Sequence, residues 1–242
     1  MVVSLLFLRA SSGWIWGGIA LLVLIFPLLM LVVPYETGWI FRTYEYPSFW
    51  TVSGFLRNLL YNGFHPVIPW TAFMLFGLWL GKQDLYDDSF VKRAFRIGLV
   101  IFLVVQGLAL GVKAGFGPEN DLVQVFNTEP MPPLPLYMIN GMSIALVIIT
   151  GCIWLGRKYE NNWLILALNR TGKLALTFYV AHVILGMGLV EGFGSRQLGT
   201  YPLEFSVGYA LFFSLLCVGF AQLWLRFKNM GPLEWVMRKL TD

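Results

Sequence analysis

Long apolar runs separated by short polar breaks dominate the chain. A helix needs about 20 apolar residues to cross the hydrocarbon core of a bilayer. Each run is apolar around most of its circumference, which is typical of helices surrounded by lipid or by other helices. The pattern predicts six membrane-spanning helices, at residues 14–33, 69–81 (with part of 61–68), 97–113, 134–156, 174–190 and 205–225.

These runs predict an all-α fold, a polytopic helical membrane bundle that forms one transmembrane domain over residues 1–242. At the second run, Pro66 and Pro69 suit the first turn of a helix. Two further amphipathic segments predict short helices lying along the membrane surface. One follows Ser48, which is a candidate N-cap, and the other lies in ENNWLILALNRTGKLALTFY, which begins at Glu160.

Two segments between the runs, 34–68 and 114–135, are predicted to form loops outside the membrane. The second of these loops is Pro-rich and is expected to form an ordered cap that contains no strand. The chain starts with MVVSLLFLRA, an apolar run too short to span and without the basic region or cleavage site of a signal peptide. Two interpretations of residues 1–12 stay open. They are the end of a helix whose beginning is missing or supplied by a partner, or an N-terminal interfacial segment.

Composition supports a lipid environment. The chain is 57% hydrophobic and 12% charged, whereas a soluble domain carries about 25% charged residues. Its 10 Trp and 10 Tyr fit helices whose amphipathic rings anchor at headgroup level. The lipid bilayer is therefore an expected partner, and the expected location is the cytoplasmic (inner) membrane of a bacterium.

The basic residues predict the orientation of the bundle. If the N-terminus is cytoplasmic, 13 of the 17 lysines and arginines fall inside, and the outer loops hold Arg42, Arg57, Lys113 and Arg196. The opposite orientation would invert the positive-inside bias. We therefore expect both termini in the cytoplasm. Because most of the basic residues lie in short loops on one side of the membrane, the net charge of +4 does not indicate a nucleic-acid partner, and none is expected.

His182 falls inside the fifth predicted span, about 12 Å into the hydrocarbon at ~1.5 Å per residue. Ionisable groups at that depth usually face a bundle interior or a water-filled cavity. Tyr179 shares its helix face, while Gly186 and Gly188 allow another helix or a ligand to come close. Two roles are open for His182: it lines a site, or it hydrogen-bonds between helices.

His65 lies at the outer end of the second run, in FHPVIPW. A neutral imidazole there could act as a general base or a nucleophile, and the alternative is a polar residue at headgroup level. The framing prolines fix the backbone that leads into the helix, and so orient the imidazole.

Asn169, Arg170 and Lys173 cluster at the cytoplasmic end of the fifth span. Basic side chains with backbone donors suit an anionic head group or the phosphates of a nucleotide-like cofactor. The same residues also satisfy the positive-inside bias, so both interpretations stay open.

Polar residues inside the spans, Gln106, Asn140 and Gln222, are expected to hydrogen-bond between helices. Cys152 and Cys217 lie in apolar runs without metal-ligand spacing, so we expect buried cysteines and no metal. No carboxylate falls within a predicted span, which disfavours a proton pump or a cation-coupled transporter. No phosphate-cradling glycine loop is present either.

Three stretches resemble a known family: FHPVIPWTAFMLFGLWLGK, LNRTGKLALTFYVAHVI and the ending GPLEWVMRKLT. They are similar to the C-terminal region of the YeiB-like membrane proteins, bacterial proteins with a domain of unknown function. That family is placed in the transmembrane acyltransferase superfamily, beside heparan-alpha-glucosaminide N-acetyltransferase. The resemblance covers residues 15–242, and G-P-L-E-W is its most specific element.

The resemblance implies a membrane acyltransferase that takes an acyl group from cytoplasmic acyl-CoA, the donor, through a tunnel to an acceptor hydroxyl or amine. The resemblance implies that His182 and Tyr179 line the tunnel, that His65 and Trp70 lie near the acceptor mouth, and that Asn169, Arg170 and Lys173 lie near the CoA entrance. The candidate catalytic residues of the chain are His65 and His182, and Asn140 is a further candidate for the tunnel lining. The catalytic residue of the family maps onto no position here.

Members of the resembled family are longer and begin with further helices. Those helices carry a motif of an acidic residue followed by leucine, arginine and glycine. In heparan-alpha-glucosaminide N-acetyltransferase, the lysosomal relative, they also carry a catalytic histidine. No stretch of this sequence matches either feature. We therefore expect missing N-terminal helices or a second chain to complete an enzyme, and a homo-oligomer is a further option. The alternative function is a non-enzymatic membrane subunit, a scaffold or a small-molecule conduit.

Overall fold

The computed structural model describes residues 6–117, 120–193 and 201–241. Residues 1–5 of the N-terminal segment, 118–119 of the second outer loop and Arg196 lie outside the described residues. The described chain divides into two compact units, Met1–Trp154 and Leu155–Asp242. The single transmembrane domain stays a prediction.

Helices make up the first unit, and no strand is described in it beyond an isolated bridge between Ile40 and Glu45. The α-helices are α1 Ser12–Val32, α2 Val52–Arg57, α3 Val67–Gly81, α4 Asp88–Gly115, α5 Asp121–Val125 and α6 Pro135–Lys158, whose last residues belong to the second unit. A 3₁₀ turn, Pro47–Trp50, precedes α2, and a π-helical turn, Asn58–Asn62, follows it.

The second unit is also helical in its described part. Its helices are α7 Trp163–Gly172, α8 Ala175–Ala181, α9 Gly188–Phe193, α10 Leu203–Trp224 and α11 Pro232–Thr241. A π-helical turn, His182–Met187, joins α8 to α9.

Five helical stretches of the described chain are long and apolar enough to cross a membrane: α1, α4, α6, the stretch Ala175–Gly192 and α10. The remaining predicted span, the second along the chain, is α3, which has 15 residues and reaches only about 22 Å at ~1.5 Å per residue. It passes the same test only together with Val52–Asn62, at a bend of 41°. The all-α membrane bundle is confirmed, with a second span that is short and bent.

Side-chain caps fix where several helices begin. Asp87 accepts a hydrogen bond from the Ser89 backbone N–H (2.8 Å) at the start of α4, and Asn162 accepts one from Leu164 N–H (2.9 Å) at α7. The predicted cap at Ser48 is wrong. The cap of α2 is Thr51, whose hydroxyl accepts from Gly54 N–H at 3.1 Å, because a 3₁₀ turn occupies the residues after Ser48.

The core of the first unit forms where α1 packs against α3, with contributions from α4 and α6. Gly18 permits the close approach, since a Cβ there would lie 3.1 Å from Leu75 and from the Phe7 ring. Lys82, at the end of α3, donates a hydrogen bond to Ala10 O (2.7 Å). The described part of the N-terminal segment is thereby tied to the end of α3.

An aromatic cluster around Phe26, Tyr35 and Tyr61 closes the end of the first unit that is predicted to lie outside, called the outer end below. Asn62 is fully buried and satisfied: its amide donates to the Tyr35 and Thr37 carbonyls at 2.8 and 2.9 Å. A buried amide with this many partners specifies one conformation of the loop, because each lost bond would leave a polar group unsatisfied.

In the second unit, α10 packs against α7 and α11 packs against α8. The one residue of α10 that is buried is Ala221, and large apolar side chains such as Leu211, Leu215 and Leu223 are exposed. Water would disfavour this much apolar surface, so the helix is suited to lipid or to a further protein surface.

Candidate functional site

The second unit contains an apolar groove of about 790 Å³ between α10 and the α8–α9 stretch. This volume lies within the ~300–1,000 Å³ of typical ligand sites. Its lining is almost entirely aromatic and aliphatic: Thr177, Phe178, Ala181, Leu185, Leu189, Val190, Tyr201, Phe205, Tyr209, Phe212, Phe213, Leu216, Cys217 and Phe220. The groove is partly open, so it is not an enclosed cavity.

The π-helical turn shapes one wall of the groove. Tyr209 on α10 donates a hydrogen bond from its hydroxyl to Gly186 O at 2.7 Å. Gly186 is buried, and a Cβ there would lie 3.5 Å from the Phe213 ring, an ordinary van der Waals distance, so a role of this glycine in close helix approach stays a prediction. At Gly188 the space beyond the backbone is open. π-turns of this kind are frequent at functional sites.

One end of the groove is polar, because Thr177 lies beside Glu234 of α11. The Thr177 hydroxyl and its backbone N–H both donate to the Glu234 carboxylate, the latter at 3.0 Å. The same hydroxyl accepts from Leu233 N–H at 3.1 Å. The first turns of the two helices therefore cap each other. The Glu234 carboxylate accepts a backbone N–H of the first turn of α8, and the Thr177 hydroxyl accepts one of the first turn of α11.

Gly231 is required by this reciprocal cap. A Cβ there would collide with the Glu234 carboxylate and lie 2.8 Å from Thr177 Oγ1. The G-P-L-E-W motif thus has a local structural reason: Gly makes room, Pro begins the helix, and Glu caps the neighbouring helix.

Burial acts to raise the pKa of the Glu234 carboxyl, but the hydrogen bonds from the Thr177 side chain and backbone outweigh it. The net effect is a lowered pKa. The end of the groove therefore carries a fixed negative charge at neutral pH, and that charge is held by donors of α8.

The predicted basic cluster lies at the C-terminal end of α7, with all three side chains exposed. Arg170 Nη1 donates to Gln222 Oε1 at 2.9 Å, and Gln222 in turn donates to Ala167 O at 3.2 Å. This confirms the interhelical bond expected of Gln222. Asn169 and Lys173 share the same helix end, where Asn169 O accepts from Lys173 N–H. Binding of phosphates there stays a prediction.

His182 and Tyr179 lie together, with ring centroids 5.4 Å apart. Both are exposed, Tyr179 by 68%, and neither lines the groove, whose wall is formed by Thr177, Phe178 and Ala181 of the same stretch. The shared face predicted for the pair is confirmed. Their roles in a tunnel stay predictions.

At the outer end of the first unit, His65 is exposed and lies edge-on to Trp70, with ring centroids 4.4 Å apart. Trp70 continues toward Tyr137 of α6, at 6.2 Å. Its indole N–H is buried and has no partner among the described residues. Because that N–H is enclosed by the protein, the polar group of this pair that a ligand can reach is the His65 imidazole.

Asn140 lies one turn beyond Tyr137 on the same face of α6. Its side-chain oxygen accepts from Gln106 Nε2 of α4 at 3.3 Å, so the interhelical bond expected of Gln106 and Asn140 is confirmed. The structure thus places three predicted residues, His65, Trp70 and Asn140, in the first unit, and their role as site residues stays a prediction.

The cysteines differ from expectation. Cys152 is exposed and Cys217 half-buried, so the prediction of two buried cysteines is wrong. Cys152 lies on an exposed helix face and Cys217 lies in the wall of the groove. When a helix is apolar all round, its sequence does not distinguish such faces from core faces. Among the described residues, no group of His, Cys, Asp and Glu could hold a metal ion.

Sequence reasoning did not identify Thr177, Tyr209 or Glu234 as residues of the groove. Glu234 offered a signal, since a carboxylate just after Gly-Pro marks the start of a helix. Its partner Thr177 lies 57 residues away, and no local pattern reveals such a pair.

Comparisons with known proteins give a family without an assigned activity. The family described as "Protein of unknown function (DUF418)" matches residues 80–242. An uncharacterized protein of Bacillus subtilis (strain 168), YxaH, is 24% identical over 203 residues, which cover 83% of this chain and 46% of that protein. The chain therefore spans about half the length of this relative. No solved structure matches.

Proposed function

We propose that this chain, which belongs to the DUF418 family of proteins of unknown function, takes part in membrane acyl transfer from cytoplasmic acyl-CoA to an acceptor hydroxyl or amine. The groove of the second unit is the observation that carries the proposal. It offers an apolar surface of the right size for an acyl chain and ends at the polar Thr177–Glu234 pair.

The resemblance to the YeiB-like proteins supplies the reaction class. In that reaction the thioester C–S bond breaks and a C–O or C–N bond to the acceptor forms. The acceptor loses its proton to a general base, and the departing CoA thiolate takes up a proton from the cytoplasm, so that free CoA leaves as the thiol. A histidine suits the base because a neutral imidazole nitrogen can accept the proton, and His65, beside Trp70, is the accessible candidate at the outer end of the first unit.

The basic residues at the end of α7 supply the site for the CoA phosphates. A guanidinium presents five N–H donors. One nitrogen of the Arg170 guanidinium donates to Gln222, and this hydrogen bond orients the remaining donors. Lys173 adds a second cation within a turn of the same backbone.

The test is acyl-CoA binding by the purified full chain, measured by calorimetry with palmitoyl-CoA and with CoA alone. We expect Arg170→Gln and Lys173→Gln each to weaken palmitoyl-CoA binding about five- to tenfold, the effect of one charge-assisted contact. Arg226→Gln, a basic residue of the same unit that the proposal does not use, is the matched control. Equal weakening in all three variants, or no binding by the wild type, would exclude the proposal.

A separate variant probes the groove. Ala181 lines it, and Ala181→Trp fills the space, so palmitoyl-CoA affinity should fall toward that of CoA alone. Ala175→Trp, at an exposed position of the same helix, should retain the preference for the acylated ligand.

One observation favours the alternative of a non-enzymatic membrane subunit. Within the described residues, the contacts of His65 and His182 are with aromatic rings, whereas a catalytic base is usually oriented by a hydrogen-bonding third group. If the chain is a non-enzymatic subunit, His65→Ala and His182→Ala leave the rate of acyl transfer in native membranes unchanged. If the chain is the acyltransferase, replacing an essential base should lower that rate at least 100-fold.

A further inference from the structure

A second type of cavity lies in the first unit, between α4 and α6. Its volume is about 440 Å³, and the residues that line it are Val91, Lys92, Phe95, Arg96 and Trp154. Unlike the groove of the second unit, it combines an aromatic wall with two cations.

The cations lie at positions i and i+4 of α4, so they share one helix face. Arg96 folds back, and its Nε donates to Lys92 O at 3.3 Å, which keeps the guanidinium near the lysine stem. Both side chains are exposed. Among the described residues that line the cavity, none carries a negative charge.

The aromatic wall is set by helix packing. The Phe95 ring lies against α6 at Gly151, where a Cβ would be 3.3 Å from the ring. Trp154 is one turn closer to the end of α6. The two rings leave an apolar slot that opens beside the basic pair.

The depth of this slot matches a membrane interface. Lys92 is four residues into α4 and Trp154 is four residues before the end of α6, about 6 Å from each helix end at ~1.5 Å per residue. Both ends are on the predicted cytoplasmic side, where anionic lipids give the leaflet a negative surface potential.

We propose that this cavity binds an anionic phospholipid of the cytoplasmic leaflet. Lys92 and Arg96 bind the phosphate and headgroup, and the first methylenes of one acyl chain lie between Phe95 and Trp154. Basic pockets between membrane helices recognise lipid headgroups in this way. The proposal is independent of acyl transfer, since it uses residues of the first unit alone.

The test is lipid retention by the purified full chain in a neutral detergent, measured by native mass spectrometry. The probes are phosphatidylglycerol, phosphatidylcholine with the same chains, and glycerol phosphate. We expect wild-type protein to retain phosphatidylglycerol several-fold better than phosphatidylcholine, because each basic residue near an anionic group contributes roughly fivefold. This comparison does not depend on any variant folding.

Arg96→Gln should lower phosphatidylglycerol retention about fivefold, and Lys92→Gln with Arg96→Gln should remove the preference over phosphatidylcholine. Arg93→Gln is the matched control: it makes the same charge change on the same helix turn, at a residue outside the cavity. The retention of phosphatidylglycerol by this variant should stay within about twofold of wild type, since Arg93 makes no contact with the headgroup in the proposed complex.

Three results would overturn the proposal. They are equal retention of the two lipids by the wild type, an equal loss in Arg93→Gln and Arg96→Gln, and binding of glycerol phosphate as strong as that of the lipid. The last result would assign the cavity to a soluble phosphate compound.

Discussion

At the scale of single residues, hydrogen bonding separates two tyrosines of the same cluster. Tyr35 and Tyr61 lie with ring centroids 6.1 Å apart. The Tyr61 hydroxyl donates to Val33 O at 2.6 Å, while the buried Tyr35 hydroxyl has no partner among the described residues. Burial, together with the nearby Tyr61, raises the pKa of Tyr35 to about 12, so this phenol stays neutral at any pH the protein meets.

Substitution by phenylalanine should therefore act in opposite directions at the two sites. Tyr35→Phe removes an unsatisfied buried hydroxyl and should stabilise the fold by about 1 kcal/mol, whereas Tyr61→Phe should destabilise it by about 1 kcal/mol. Melting temperatures in detergent measure both. A drop for Tyr35→Phe as large as that for Tyr61→Phe would show that the Tyr35 hydroxyl has a partner.

Glu234 predicts a pH dependence of stability. Its folded pKa is lowered below the ordinary value of 4.5, so the stabilisation is fully present above that value and is lost as the pH falls through the lowered folded value. The melting temperature of the wild type should exceed that of Glu234→Gln at pH 7, and the gap should narrow once the pH drops below 4.5. A difference in melting temperature that widens on acidification would mean that folding raises the pKa of Glu234 instead of lowering it.

At the scale of elements, small residues decide how closely the helices pack. Gly98 of α4 faces α6, and a Cβ there would lie 3.1 Å from Ser143 O and from the Val147 side chain. Helix association in membranes depends on such close packing, because lipid supplies no hydrophobic driving force between helices. Gly107 of the same helix has open space beyond its backbone.

These two glycines form a matched pair for mutagenesis. Gly98→Ala should destabilise the protein by about 1 kcal/mol or more through overpacking, and Gly107→Ala should leave it unchanged or raise its stability by about 0.5–1 kcal/mol through helix propensity. Thermal unfolding in detergent distinguishes them. Similar shifts for both would mean that α4 and α6 do not cross at Gly98.

At the scale of the whole molecule, the chain carries far more apolar surface than its two units bury. Large side chains are exposed along α1, α4, α6 and α10, and the same helices are long enough to cross a bilayer. An integral membrane protein is the consequence. The orientation of the bundle rests on the distribution of lysine and arginine.

Cysteine labelling in intact cells tests that orientation. In a background with Cys152 and Cys217 replaced by alanine, Glu129→Cys should react with a membrane-impermeant maleimide. Asn161→Cys should react only after the cells are permeabilised, because it lies on the predicted cytoplasmic side. Both positions are exposed. The reverse labelling pattern would mean that the positive-inside assignment is wrong for this chain.

The sequence by itself determined the helical class and the approximate position of each span, because the length and apolarity of a run are local properties that the bilayer selects directly. It also indicated the hydrogen bonds of Gln106, Asn140 and Gln222, since a polar side chain within an apolar run has few other partners. The start of α2 was misplaced because Ser48 and Thr51 are both good caps, and a 3₁₀ turn selects Thr51.

Only the tertiary structure decided which apolar faces meet. It paired Thr177 with Glu234 across 57 residues, left His182 outside the groove, and placed Lys92 and Arg96 beside Trp154. Helices that are apolar all round carry no period that distinguishes a lipid-facing side from a packed one. Contacts between distant segments therefore depend on shape complementarity, which one-dimensional patterns do not encode.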